Sequence, residues 1–163
     1  MEANKALSKR FLTFAEQECK GSSPLYEYLS IEISKDETVL ALSSHALVGQ
    51  PVPNLLFGAV HFLLLKGKDH PLKEYYPSLV ENPKPFHESF AHFRDFCLTF
   101  RDEIISILKT RLVQTNEVRR CAYLYPVFCT IYEKVQRPLA LIEIGTSAGL
   151  QLLFDQFAYS YDK

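Results

Sequence analysis

The chain has 163 residues, 47% of them hydrophobic, and a formal net charge of −1. That is enough apolar material for a buried core, while the near-neutral balance offers no basic field for nucleic acid and no like-charged tail. Residues 1–20 scatter Glu2, Lys5, Lys9, Arg10 and Glu16 among the apolar positions, unlike a secretory leader, and the most hydrophobic stretch, 55–65, falls short of the roughly 20 residues a spanning helix needs.

Leu7, Phe11, Phe14 and Ala15 recur at helical spacing opposite Lys9, Arg10, Glu16 and Gln17, and Gly21 stops this first helix. Ser23 offers a cap oxygen and Pro24 a first-turn residue to a second, 24–34. Pro51 and Pro53 lead into a third, 54–66, closed by Gly67. This one is apolar all round, which predicts the central buried helix, with His61 as a hydrogen-bonded core histidine. Pro71, Pro77, Pro83 and Pro85 forbid a long helix between Asp69 and His87, so short turns are expected there, His70 among them.

From Ser89 one amphipathic helix is expected, because Phe90, Phe93, Cys97, Phe100, Ile104 and Ile107 step by three or four opposite Arg94, Asp95, Arg101, Asp102 and Lys109. A last helix, 116–136, presents Val118, Cys121, Ala122, Tyr125, Phe128, Cys129, Tyr132 and Val135, with a kink expected at Pro126. Cys19, Cys97, Cys121 and Cys129 form no C-x-x-C pair; three of them lie on apolar helical faces, and buried free thiols are expected. His45, His61, His70, His87 and His92 lack metal-ligand spacing, so no metal site is expected.

The run Pro138-Leu139-Ala140-Leu141-Ile142-Glu143-Ile144-Gly145-Thr146-Ser147-Ala148-Gly149-Leu150 breaks the helical pattern. An apolar stretch, an acidic residue, a glycine-bracketed turn and a new pattern through Leu150, Leu153, Phe154 and Phe157 predict the strand–loop–helix opening of a nucleotide-type α/β domain. Gly145 suits the tight turn and Gly149 a close backbone approach, while Glu143 is placed to orient a polar cofactor group. Ser147 stands where G-x-G-x-x-G has its second glycine, and no phosphate-loop Gly-Lys-Ser/Thr follows. The same residues also match G-x-S-x-G, the nucleophile elbow of α/β-hydrolases, with Ser147 as nucleophile. Against that, no histidine follows His92, and the sequence before the elbow reads as helix.

The other polar concentration is 110–120. Thr115 or Asn116 can cap the last helix, which puts Arg119 and Arg120 in its first turn, where the helix dipole disfavours cations. Either a salt bridge to Glu117, Glu133 or another carboxylate compensates, or the segment recognises a substrate anion through Gln114, Asn116, Arg119 and Arg120.

With these residues in view, the chain resembles the amino-terminal part of an uncharacterised bacterial family defined only as a domain of unknown function. The resemblance rests on Ser23-Pro24-Leu25-Tyr26, Pro53 to His61, His70-Pro71-Leu72, Tyr76-Pro77-Ser78-Leu79, Thr110 to Arg120 and Glu143 to Leu150. It implies a second half similar to class I S-adenosylmethionine-dependent methyltransferases. Glu143, Gly145 and Gly149 then match the adenosylmethionine-binding loop, and Thr146 and Ser147 between the glycines are counted with them as cofactor-binding.

The expected architecture is mainly α: a helical domain over 1–137, then over 138–163 the first strand, glycine loop and helix of an incomplete Rossmann-like methyltransferase sheet. The helical part would cover the cofactor site and help select a small-molecule or protein methyl acceptor, with the catalytic residues undefined. This chain alone is expected to be inactive, so a non-enzymatic helical interaction module is the rival reading. The apolar strand 139–144, lacking a partner strand, is expected to join two copies into a homodimer. A cytoplasmic protein is expected, with neither nucleic acid nor membrane among its partners.

Overall fold

Phe57 collects the aromatic side chains of three other helices. Its ring lies 6.3 Å from Phe11, 5.9 Å from Phe14, 4.7 Å from Tyr26 and 5.6 Å from Phe93, centroid to centroid. These contacts organise the first of two units, Met1–Val113; the second is Gln114–Lys163. The computed structural model describes residues 2–114 and 117–161.

In the first unit, helix α1 (Glu2–Phe14) runs on through one wide turn, Ala15–Cys19, and buries Phe11, Ala15 and Cys19. Helix α2 (Pro24–Ile33) starts as the sequence predicts, with Ser23 as cap and Pro24 in its first turn. Helix α3 (Glu37–Ser43) was not anticipated. Asp36 caps it, one carboxylate oxygen accepting from the Val39 N–H at 2.8 Å and the other from Arg94 Nε at 2.8 Å.

Helix α4 (Val52–Leu65) carries Phe57 and is central, with Leu56 and Val60 fully buried. It is not buried all round, however: Gly58, Phe62 and Leu65 form an exposed stripe at helical spacing. One helix was expected from Ser89 onward, but two are found, α5 (Ser89–Thr99) and α6 (Arg101–Thr110). The break is confined to Phe100 (φ −106°, ψ 29°), so the apolar period runs through it unchanged. Phe100 there packs 4.6 Å from Phe96, its neighbour one turn back. Between α4 and α5 the prolines impose short 3₁₀ turns, Pro71–Tyr75 and Phe86–Glu88.

The second unit contains a 3₁₀ turn (Val118–Arg120), helix α7 (Cys121–Val135) and a 3₁₀ segment (Leu150–Gln156). Helix α7 ends at Gln136 in the left-handed region (φ 49°). Its apolar face packs through stacked Tyr125 and Tyr159 (4.6 Å) and edge-on Phe128 and Phe154 (5.0 Å). Cys121 is the buried member of that face, whereas Cys129, expected to be buried, is exposed.

The expected Rossmann-like strand–loop–helix is absent. The chain is all helical, with no strand among the described residues. Residues 138–143 form irregular chain, and the expected following helix is a 3₁₀ segment broken at Leu153 (φ −91°, ψ 18°). A strand is stabilised by the ladder to its neighbour, and no described residue supplies a neighbour for 139–144.

Candidate functional site

The loop that follows residues 138–143 is tightly specified by its backbone. Gly145 (φ 76°), Ser147 (φ 54°) and Gly149 (φ 74°) all occupy the left-handed region, where glycine is unstrained and serine is not. The Thr146 hydroxyl donates to the Glu143 carbonyl at 2.9 Å, and the Gly149 N–H donates to the Thr146 carbonyl at 2.9 Å. A Cβ on Gly145 would meet nothing within 4 Å, so the demand for glycine there comes from φ alone.

Glu143 is the unusual member. Its neighbours Ile142 and Ile144 are 92% and 96% exposed, while its own Oε2 is shut off from solvent and has no hydrogen-bond partner among the described residues. A small cavity of about 200 Å³ opens beside it, lined among others by Leu141, Glu143, Gln151 and Phe154. A carboxylate oxygen out of water without a donor is costly, and it is an acceptor for any donor a ligand brings. A larger, apolar cavity of about 720 Å³ shares Leu141 and Phe154 with it and has Tyr125, Phe128, Leu139 and Leu152 in its wall.

The polar segment before α7 is only partly brought to this loop. Gln114 accepts from the Ser147 hydroxyl at 3.5 Å, a long contact. Arg119 and Arg120 are exposed, and among the described residues neither has a carboxylate in ion-pair range; Glu117 instead accepts from the Arg119 N–H at 3.0 Å. Asn116 and Thr115 lie outside the described residues. Among the described residues of the second unit there is no histidine beside Ser147.

A second concave region, in the first unit, was not anticipated. Residues 22–26, 61, 75–78 and 83–86 surround a cavity of about 630 Å³. Three stretches that carry the family resemblance, 23–26, 53–61 and 76–79, contribute to its wall, which is the signal the sequence did hold. His61 is half-buried there, not in the core: its Nε2 lies 2.8 Å from Ser78 Oγ and its ring stacks on Tyr76 at 5.3 Å. Burial holds the imidazole below its usual pKa and therefore neutral. No carboxylate is bonded to its other nitrogen among the described residues, so the pair lacks the orienting group of a nucleophile–base device. Burial also raises both tyrosines, Tyr26 to about 12 and Tyr76 well above the ordinary phenol range. The two side chains lie against each other, each shifting the other's titration, and the Tyr76 hydroxyl is shut off from solvent.

His70, expected in a turn, is a buried cap. Its Nδ1 accepts from the Leu72 N–H at 3.1 Å, which leaves Nε2 to donate to Asp95 at 3.0 Å. No group of three or more histidine, cysteine or acidic side chains suited to a metal is found among the described residues. No helix among them is long and apolar enough to cross a membrane.

A family model described as "Uncharacterized protein conserved in bacteria (DUF2332)" matches residues 8–163. The chain belongs to that family. No curated protein and no solved structure matches significantly. Membership of DUF2332 carries no activity with it, so the function rests on the residues themselves.

Proposed function

We propose that the chain is the amino-terminal part of a cytoplasmic, S-adenosylmethionine-dependent methyltransferase-like protein, with the Glu143–Gly149 loop as its cofactor contact. The observation that supports this reading is the buried, unpartnered Oε2 of Glu143 one residue before a loop of left-handed glycines. Such an oxygen fits the hydroxyl or ammonium donors of that cofactor, with Gly145, Thr146, Ser147 and Gly149 alongside. When bound, the cofactor supplies an electrophilic methyl group. The chain's own part is to bind and orient: Glu143 accepts hydrogen bonds, while Arg119, Arg120, Gln114 and Asn116 are proposed for an anionic group of the methyl acceptor.

Titration calorimetry of adenosylmethionine into the intact protein tests this. Glu143→Gln is expected to weaken binding about tenfold or more, because a carboxylate acceptor is stronger than an amide. Unchanged affinity in Glu143→Gln, or no binding by the wild type, removes the reading.

The rival, a non-enzymatic interaction module, draws on a different observation: Ile142 and Ile144 are almost fully exposed. Two copies joined at 139–144 would cover them. Light scattering after size exclusion is expected to show a dimer that Ile142→Lys returns to monomer; a monomer throughout excludes that partner.

A further inference from the structure

We propose that the cavity of the first unit binds a neutral, planar aromatic molecule carrying a hydrogen-bond acceptor, held by Tyr26, His61, Tyr76, Ser78 and Phe86. This site is separate from the Glu143 loop, and the inference does not depend on the reading given to that loop.

Size and lining come first. About 630 Å³ lies within the range of small-molecule sites, and the wall combines the rings of Tyr26, Tyr75, Tyr76 and Phe86 with Pro24 and Pro77. Flat rings and proline faces suit a flat, apolar body. His61 and Tyr76 are already stacked within 20° of parallel, so one stacking platform exists without rearrangement.

Charge then narrows the class. The cationic side chain in the wall, Lys84, is ion-paired with Glu74 and offers no unmatched charge. Burial opposes the imidazolium of His61 and the phenolates of Tyr26 and Tyr76, so the surroundings disfavour charge of either sign. A neutral guest enters without that cost.

The polar handle is the pair at the exposed side, Ser78 and His61. Their Oγ and Nε2 lie 2.8 Å apart, so when the neutral imidazole donates from Nε2 the Ser78 hydroxyl is left to donate to a carbonyl or ether oxygen of the guest. The Tyr76 hydroxyl is shut off from solvent and lies against Tyr26, so Tyr76 contributes its ring.

The test uses three probes of one size and shape, 2-naphthamide, 2-naphthoate and 2-naphthylmethylammonium, titrated into the full chain by saturation-transfer NMR. The amide is expected to bind saturably and at least tenfold more tightly than either ion. Ser78→Ala is expected to weaken the amide at least fivefold while the protein melts as wild type does, since only an exposed hydroxyl is lost. Ser78→Leu, at an exposed position, gives a second loss of binding without touching the core. Equal affinity for the three probes, no saturable binding of the amide, or full affinity in both variants overturns the proposal.

Discussion

Tyr161 donates its hydroxyl to the carbonyl of Ala122 at 2.7 Å. In an uninterrupted helix that carbonyl would accept from the N–H four residues on, but the residue there is Pro126, which has none. A side chain 39 residues away in sequence thus occupies the acceptor that proline leaves vacant. Tyr161→Phe is expected to lower the stability of the second unit by about 0.5–1 kcal/mol, the scale of one net hydrogen bond. In a Pro126→Ala background the same change should cost less, because a backbone N–H then competes for the carbonyl. A double-mutant cycle by urea unfolding measures the difference, and equal costs in both backgrounds would contradict the link.

Phe57 sits where α1, α2, α4 and α5 meet. Removing its ring leaves a void bordered by four aromatic side chains that cannot collapse together. Phe57→Ala should therefore cost about 3–5 kcal/mol, and Phe57→Leu clearly less. Denaturant unfolding of both variants ranks them, whereas Leu65→Ala, at an exposed position of the same helix, should stay near wild type.

The stability of the first unit should fall as pH drops through the histidine range. His61 has a lowered pKa in the folded state because burial penalises its charge, so the unfolded chain binds a proton first, near pH 6.5. The contribution of the neutral ring is complete above that pH and is lost as pH falls toward the folded pKa. Unfolding free energies between pH 7.5 and 5.5 should decline more steeply for wild type than for His61→Asn. Parallel slopes would mean the ring is as well solvated folded as unfolded.

Thiol reactivity should separate the cysteines sharply. Cys129 is exposed, while Cys19, Cys97 and Cys121 are buried. Burial also pushes the Cys19 thiol up to about 11 and that of Cys97 higher, away from the reactive thiolate. A thiol reagent such as a disulfide dye should modify one cysteine quickly in the native protein and the other three on unfolding, with Cys129→Ser abolishing the fast phase.

The starts of α2 and α4 were legible because caps and prolines act on the turn that contains them: Ser23 with Pro24, and Pro51 with Pro53. Helix α3 has the same kind of signal in Asp36, but its seven residues are too few to show an apolar period. The division at Phe100 had no such signal, since the apolar steps from Phe90 to Ile107 continue across it. Of the two candidate sites, the Glu143–Gly149 loop could be located from its glycines, and the left-handed angles at Gly145 and Gly149 belong to that local chemistry. That Glu143 is turned inward while Ile142 and Ile144 face out could not be read, because side-chain alternation specifies opposite faces and not which face is covered.

By itself, then, the sequence determined what depends on neighbours along the chain: helices α1, α2 and α4, the proline-bound turns between α4 and α5, and the glycine positions of the loop. Helical hydrogen bonds close within a segment, so its own residues largely decide it. Tertiary structure alone decided that 139–144 is not a strand, that Cys129 is exposed, and that Tyr26, His61 and Tyr76 surround one cavity. A strand needs a partner to bond to, and a cavity needs walls from segments far apart in sequence. Neither condition can be met or refused by any single stretch of residues.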